Sequence, residues 1–291
     1  MDGLPEWDRC AVMGVVNVTP DSFSDGGRWF DTQGAIKHGL DLVGQGADLV
    51  DVGGESTRPG ARRVDEDEEL RRVLPVVRGL AEEGVVVSVD TMRASVASQA
   101  VAAGAVLVND VSGGLADPAM VPAVAETGVP FVVMHWRGQS IDMNNRAVYT
   151  DVVGEVVTEL RDAVGRATDG GIGPDRIVVD PGLGFAKRAE HDLQLVAALS
   201  RLRAELDRPV LVAASRKRFL GRVLASEGGA TPPPARERDA ATAAVTALSA
   251  REDAWAVRVH EVRASADAVR VVRAVDEARD AADAARAVGS A

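Results

Sequence analysis

The chain of 291 residues has little cysteine, no long apolar run and little lysine, and each shortage narrows the possible functions. Cys10 is the only cysteine, so no disulfide can form within the chain, and a reducing cytoplasm is the predicted compartment. No apolar run approaches the roughly 18 residues of a membrane helix, and residues 1–10 lack the apolar stretch of a signal peptide. Lysine, the third shortage, occurs only as Lys37, Lys187 and Lys217.

Negative charge outweighs positive charge. Lysine and arginine together number 33 and aspartate and glutamate 44, which gives a formal net charge of −11. Such a chain is a poor general partner for nucleic acid or for a membrane surface, so any anion site must be local. The scarcity of lysine gives weight to Lys187 and Lys217, which both lie close to the ends of predicted strands.

Eight short apolar segments each end on a polar residue. The clearest, 177–179, is β-branched and ends in Asp180, followed by a glycine-rich turn and Lys187. A short apolar run bounded by turn residues predicts a strand buried on both faces, as in a parallel sheet. The other segments are 12–16, 49–50, 85–89, 106–108, 131–134, 210–214 and 256–259.

Segments with the apolar period of an amphipathic helix lie between these strands. Asp117 and Pro118 predict one helix start, with aspartate as the N-cap and proline at the first helical position. A leucine stripe over 195–206 predicts a single helix. Strand and helix alternate about eight times, which predicts an α/β fold. We expect one (β/α)₈ TIM barrel domain over residues 1–291, with its core at about 11–276 and an alanine-rich C-terminal tail.

The polar residues that follow the strands are predicted to meet at one mouth, because parallel strands of a barrel all point the same way. A single small polar residue at a strand end often only caps a turn. That explanation does not account for carboxylates or carboxamides at five strand ends and cations at two more. The set is Asn17, Asp51, Asp90, Asn109, Asp180, Lys217, Arg258 and His260.

This set divides by charge. Asp90, Asn109 and Asp180 offer acceptors, which suit a heterocycle with adjacent amino and ring N–H groups. Arg258 and His260, together with Asn17, offer donors and a metal-binding oxygen, which suit a phosphate or diphosphate. A purely structural histidine is the alternative for His260. Glycine-rich loops after the first two strands predict mobile cover over the mouth, with two ordinary long connections as the alternative.

Seven motifs lie at these strand ends and follow one another in a recognisable order. They are NVTPDSFSDGG from Asn17, DVGGESTRPGA from Asp51, SVDT from Ser88, NDVSGG from Asn109, DPGLGFAK from Asp180, SRKRFLG from Ser215 and RVHEV from Arg258. In this order they resemble the dihydropteroate synthases, the folate-pathway enzymes that sulfonamides inhibit. The similarity runs from about residue 12 to residue 275, and the family fold is a (β/α)₈ barrel.

The resemblance implies a transferase reaction in folate biosynthesis. 6-Hydroxymethyl-7,8-dihydropterin diphosphate loses diphosphate, and the amine of p-aminobenzoate attacks the exposed methylene carbon to give 7,8-dihydropteroate. A departing diphosphate needs its charge neutralised, and a developing pterin cation gains from nearby carboxylates. The resemblance also implies Mg²⁺ as cofactor, sulfonamides as inhibitors and a homodimer, with no nucleic acid or membrane partner.

Residue roles are carried over motif by motif. The catalytic residues implied are Asp90, Asp180, Lys217 and Arg258. The pterin would be held by Asp90, Asn109, Asp180 and Lys217, the diphosphate by Arg258 and His260, and Mg²⁺ by Asn17. Met134 is a further substrate-binding residue, and p-aminobenzoate would be held by Thr57, Arg58, Pro59, Phe23 and Phe185.

Three positions depart from the commoner family pattern. Arg218 stands where many relatives have serine, and Leu183 and Ala186 replace phenylalanine and glycine. Two other classes share the fold: pterin-binding methyltransferase domains and non-catalytic relatives with a degraded mouth. The intact loop motifs and the intact Asn17 and Lys217 favour the synthase.

Overall fold

The computed structural model describes residues 3–19, 28–55, 64–138, 146–225 and 231–289. Strands and helices alternate along these ranges. The strands are β1 Ala11–Asn17, β2 Leu49–Gly53, β3 Val87–Asp90, β4 Leu107–Asp110, β5 Phe131–Met134, β6 Ile177–Asp180, β7 Leu211–Val212 and β8 Ala256–Val259. The helices are α1 Arg28–Gln45, α2 Glu66–Glu82, α3 Ala94–Ala102, α4 Met120–Thr127, α5 Val152–Asp169, α6 Ala189–Ala197, α7 Leu199–Leu206, α8 Arg218–Leu224, α9 Asp239–Arg251 and α10 Arg263–Gly289.

The eight strands form one parallel sheet that curls on itself. Their order is β6-β5-β4-β3-β2-β1-β8-β7, and every pair within that order is parallel. The two outer strands meet through a bridge between Val179 and Val210, where the amide of Val179 donates to the carbonyl of Pro209 at 2.9 Å. The predicted (β/α)₈ barrel is therefore confirmed.

Alternate side chains of the strands pack into two separate apolar cores, as the two-residue period of a strand requires. On β1, Val12 and Val16 belong to the larger core between strands and helices, while Ala11 and Met13 belong to the smaller one. The smaller core also contains Leu49, Leu107, Val132, Val178, Leu211 and Ala256, with Trp7 and Trp255 packed against it. The barrel interior is thus filled by side chains at its N-terminal end.

Local structure differs from the sequence-based expectations at a few points. The leucine stripe spans two helices, because the backbone of Ala198 leaves the helical region between α6 and α7. Helix α4 begins at Met120 rather than Pro118, and the carboxylate of Asp117 caps two backbone amides, those of Ala119 at 2.9 Å and Ala94 at 2.8 Å. The alanine-rich tail continues α10 to Gly289.

None of the helices in the described ranges has the length and apolar character needed to cross a membrane.

An ion pair ties the N-terminal segment to the sheet at the end opposite the predicted mouth. Arg9 donates to both carboxylate oxygens of Asp48 at 2.7 and 2.8 Å, and the amide of Val12 donates to the same carboxylate at 2.8 Å. The two side chains are 20% and 12% exposed. A paired arginine fork in such a semi-buried setting is worth more than a surface ion pair.

We expect Asp48→Ala to lower the free energy of unfolding by about 2–4 kcal/mol, because the guanidinium and the Val12 amide lose their acceptor together. Denaturant unfolding measures this loss. The control is Asp267→Ala, whose partner Arg270 is exposed; it should change stability by at most about 0.5 kcal/mol. Equal losses in the two variants would contradict the assignment.

Candidate active site

Four side chains from β2, β3, β4 and β8 bond to one another at the C-terminal end of the barrel. Arg258 donates from Nε to Asp51 at 2.6 Å and from Nη2 to Asp90 at 2.8 Å. Asn109 donates from Nδ2 to the same oxygen of Asp51 at 3.0 Å. The two acids and the amide are buried. We name these four residues the Arg258 cluster.

Asp51 accepts hydrogen bonds from two other members of this cluster. One of its oxygens accepts from both Arg258 and Asn109, and the other is buried with no hydrogen-bond partner in the described part of the chain. Because the amide nitrogen of Asn109 is turned to Asp51, its carbonyl oxygen is directed elsewhere and can accept from a ligand. Asp51 therefore fixes what its neighbours present to the mouth.

Asp90 is the acid whose charge depends most on the cluster. Burial raises the pKa of Asp90, and the negative charge of Asp51 adds to that rise, while the guanidinium of Arg258 opposes it. An isolated carboxylate in this position would be costly to ionise. The pairing with Arg258 is therefore what favours its charged form.

The turn between β6 and α6, residues 181–188, forms the other side of the site, and we name it the β6 turn. Asp180, which precedes it, accepts from the amide of Gly182 at 2.7 Å. Lys217, which precedes α8, donates to the carbonyl of Leu183 and lies 4.8 Å from the ring centre of Phe185. The backbone of Gly182 is left-handed, with φ of 67°, and a Cβ there would meet the carbonyl oxygen of His135.

At the β6 turn, as in the Arg258 cluster, a cation opposes the effect of burial on the pKa of an acid. Burial raises the pKa of Asp180, and the charge of Lys217 opposes the rise. Burial lowers the pKa of Lys217 to about 8, opposed by Asp180 and Asp192. Each half of the site therefore contains a buried acid facing a cation, and Arg258 also acts on Asp180.

Other predicted residues take up positions around these two groups. Met134 is buried and pairs in register with Asp180. His260 follows β8, and its Nδ1 lies 3.0 Å from Oγ of Ser215. Asn17 ends β1 opposite Gly53 and is half-buried. Thr57, Arg58, Pro59 and Phe23 lie outside the described residues.

Two residues of this region were missing from the predicted site. Asp51 was recognised as one of the strand-end residues but was given no role, although it carried the same signal as Asp90. Ser215 ends the segment after β7, and its contact with His260 joins residues 45 positions apart. The signal was present, because Ser215 follows the seventh apolar segment and His260 the eighth, and these two strands pair in the barrel.

Known proteins are similar to this chain over most of its length. A model of the pterin binding enzyme family matches residues 13–260. The dihydropteroate synthase of Mycobacterium leprae is 55% identical over 264 residues, which cover 90% of this chain and 92% of that protein. The chain belongs to the dihydropteroate synthases.

Dihydropteroate synthases of known structure have the same fold. That of Xanthomonas albilineans with 4-aminobenzoic acid has a TM-score of 0.84 at 45% identity, covering 92% of this chain and 94% of that one. That of Yersinia pestis with a sulfonamide drug has a TM-score of 0.86 at 38% identity, covering 95% and 98%. The predicted family, fold and transferase activity in folate biosynthesis are confirmed. The roles of single residues and of magnesium remain predictions.

We expect Asp51→Ala to lower pterin affinity by about two decades, because Arg258 and Asn109 lose the acceptor that orients them. Asp51→Asn should lose less, since its carbonyl can still accept from one of them. Calorimetry with the pterin diphosphate measures both. Stability should also fall, because the guanidinium and the amide are left buried without this acceptor, so the thermal midpoint has to show that the variant is folded. Full affinity in a folded Asp51→Ala protein would assign Asp51 to the fold alone.

Proposed function

We propose that the Arg258 cluster and the β6 turn together bind 6-hydroxymethyl-7,8-dihydropterin diphosphate for condensation with p-aminobenzoate. The observation that carries this proposal is the pair of buried acids, Asp90 and Asp180, at one end of the barrel. Each faces a cation, Arg258 or Lys217, and burial raises the pKa of each acid. Buried acids need donors. A pterin with adjacent amino and ring N–H groups supplies several from one ligand.

Asp180 is the acid that we assign to the amino and ring N–H groups. One of its oxygens accepts from the amide of Gly182, which orients the carboxylate. The carbonyl oxygen of Asn109, turned away from Asp51, adds an acceptor on the opposite side. Lys217 complements these acceptors as a donor to the ring. The same carboxylates stabilise positive charge that develops on the pterin as diphosphate leaves.

Diphosphate release is assigned to Arg258 and His260. Arg258 donates to Asp51 through Nε and to Asp90 through Nη2. A guanidinium has five N–H donors, so Arg258 can bond to a diphosphate while it keeps both acids. The same side chain therefore links the diphosphate to the acid that faces the pterin. The contact of His260 with Ser215 orients the imidazole ring.

The p-aminobenzoate pocket is assigned to Phe185 together with Thr57, Arg58, Pro59 and Phe23. Phe185 is in the β6 turn beside Lys217. The synthase of Xanthomonas albilineans was solved with 4-aminobenzoic acid and that of Yersinia pestis with a sulfonamide, which supports both as ligands here. The amine of p-aminobenzoate attacks the methylene carbon of the pterin as the bond between that carbon and the diphosphate breaks. No protein nucleophile is needed.

Magnesium fits this site as an ion that arrives with the diphosphate. Among the described residues, no three His, Cys, Asp or Glu side chains come together to hold a metal. Mg²⁺ commonly binds through one or two protein oxygens plus substrate phosphates and water. The side-chain oxygen of Asn17, half-buried at the end of β1, can provide one. When bound, the ion would neutralise charge on the leaving diphosphate.

We further propose a cytoplasmic homodimer built on α9 and α10. These helices pack together and expose Leu248, Val271 and Val275, which are 57%, 63% and 48% exposed. The small side chains of α9 permit close approach of a second copy. Sedimentation of the pure chain at micromolar concentration distinguishes this dimer from a monomer.

Asp180→Ala should weaken pterin binding by about 3–5 kcal/mol, or two to four decades, since two charge-assisted hydrogen bonds are lost. Asp180→Asn should fail almost as badly, because its amide would set an N–H against a ligand N–H. Calorimetry gives the affinities, and the thermal midpoint shows whether both variants fold. Conversion of the two substrates to dihydropteroate by the wild-type protein is the reference. Near-normal pterin affinity in folded Asp180→Ala would mean that the acid is only a turn cap.

Asn17→Ala should raise the Mg²⁺ concentration needed for half-maximal turnover by about tenfold, because a hard oxygen ligand is lost. The initial rate as a function of Mg²⁺ measures this. Affinity for a pterin that lacks diphosphate should be unchanged and serves as the internal control. The same magnesium dependence in mutant and wild type would remove Asn17 from the ion site.

A further inference from the structure

Lys187 is a buried residue of the β6 turn that was given no role of its own in the function proposed above. Its ammonium group is 2.9 Å from Nδ1 of His135, 3.0 Å from the carbonyl oxygen of Gly182 and 3.1 Å from that of Phe185. An ammonium has three protons to donate, and these contacts account for all of them. Only 5% of the residue is exposed. Lys187 therefore ties two carbonyls of its own turn to His135, which follows β5.

His135 is fixed in the form that accepts from Lys187. Burial, together with the charge of Lys187, lowers the pKa of His135 to about 4, so the ring is neutral at pH 7. Nε2 lies 3.0 Å from the carboxylate of Glu159, an acceptor, so this nitrogen carries the proton and Nδ1 accepts. Arg137 in turn donates to Glu159, which completes a chain of polar contacts from the turn to α5.

The β6 turn needs such support because its backbone is unusual. Gly182, Gly184 and Ala186 all have left-handed backbone, with φ of 67°, 76° and 47°. That conformation carries a penalty for alanine, so surrounding contacts must hold it. Lys187 holds the carbonyls of Gly182 and Phe185, and Asp192 accepts from the amide of Gly184 at 2.7 Å.

Lys217 bonds to the same turn at the carbonyl of Leu183 and lies over the ring of Phe185. The two lysines thus hold different carbonyls of one short turn.

We propose that Lys187, oriented by His135, is a positioning residue that sets Phe185 for p-aminobenzoate. This inference rests on the proposed function, in which Phe185 lines the p-aminobenzoate pocket. Asp180 is held by strand pairing with Met134, whereas Phe185 lies within the turn and its own carbonyl is bonded to Lys187. The charge of Lys187 also lowers the pKa of Asp180, but less than the charge of Lys217, which remains. Loss of Lys187 therefore affects the second substrate more than the pterin.

The test measures Lys187→Met in the full-length protein. We expect KM for p-aminobenzoate to rise about tenfold or more, the equivalent of one lost charge-assisted hydrogen bond. The pterin dissociation constant, measured by calorimetry, should change by less than about threefold. Lys37→Met is the matched control, since it makes the same substitution at an exposed lysine on α1 and should leave both values unchanged. Unchanged KM in Lys187→Met, or equal losses for both substrates, would overturn the proposal.

A second pair of variants keeps the proposal testable if Lys187→Met does not fold. His135→Asn places an oxygen near the position of Nδ1 and should keep KM for p-aminobenzoate close to wild type, whereas His135→Leu should raise it. Equal KM in these two variants would contradict the role of His135. With four histidines in the chain, ¹⁵N NMR should also resolve Nδ1 of His135, which should shift when Lys187 is replaced by Arg.

Phe185→Leu separates this inference from the function on which it rests. If Phe185→Leu leaves KM for p-aminobenzoate unchanged, the pocket assignment fails, and the positioning role fails with it. If Phe185→Leu raises KM while Lys187→Met and His135→Leu do not, the pocket stands and the positioning role alone is refuted.

Discussion

The bonds of Arg258 to Asp51 and Asp90 are the constraint on which the rest of the mouth depends. They join β8 to β2 and β3, and the guanidinium opposes the rise that burial causes in the pKa of Asp90. Burying the charges of such a pair costs desolvation free energy, and removing one partner strongly lowers the stability of the fold. The pairing fixes the orientation of both acids and of the guanidinium, although one oxygen of Asp51 is buried without a partner in the described part of the chain.

This arrangement favours a ligand that is charged at one end and rich in N–H donors at the other. Diphosphate can bond to the N–H groups of the guanidinium that the acids do not use, while the heterocycle supplies donors to the buried acids. These two kinds of group match the two-part substrate of the dihydropteroate synthases.

The barrel and its mouth could be predicted from sequence because both follow from local patterns. Buried strands are apolar and short, and a polar residue after each one marks the end that faces the ligand. The bonds within the site could not be predicted, since Arg258 and Asp51 are 207 positions apart and only closure of the barrel brings them together. The same holds for Lys187, whose motif position gives no sign that it contacts His135.

The break between α6 and α7 and the length of β7 could not be predicted for a different reason. The leucine stripe of α6 and α7 has an unbroken period, because leucines of both helices pack on one core, and a change at the single residue Ala198 leaves no trace in that period. Strand β7 is only two residues long, so the apolar run at 210–214 overstates it. Hydrophobicity reports burial, whereas strand length depends on pairing with neighbours.

The N-terminal end of the barrel is closed by an aromatic contact that has an optical consequence. Trp7 and Trp255 lie with ring centres 5.9 Å apart and planes tilted by 56°. Two indoles this close and this oriented couple their strong far-ultraviolet transitions, so the pair adds a band of its own to the far-ultraviolet circular dichroism. Since the pair lies at the opposite end from the Arg258 cluster, that band depends on whether the N-terminal end of the barrel is folded. Ligand binding at the mouth leaves it unchanged.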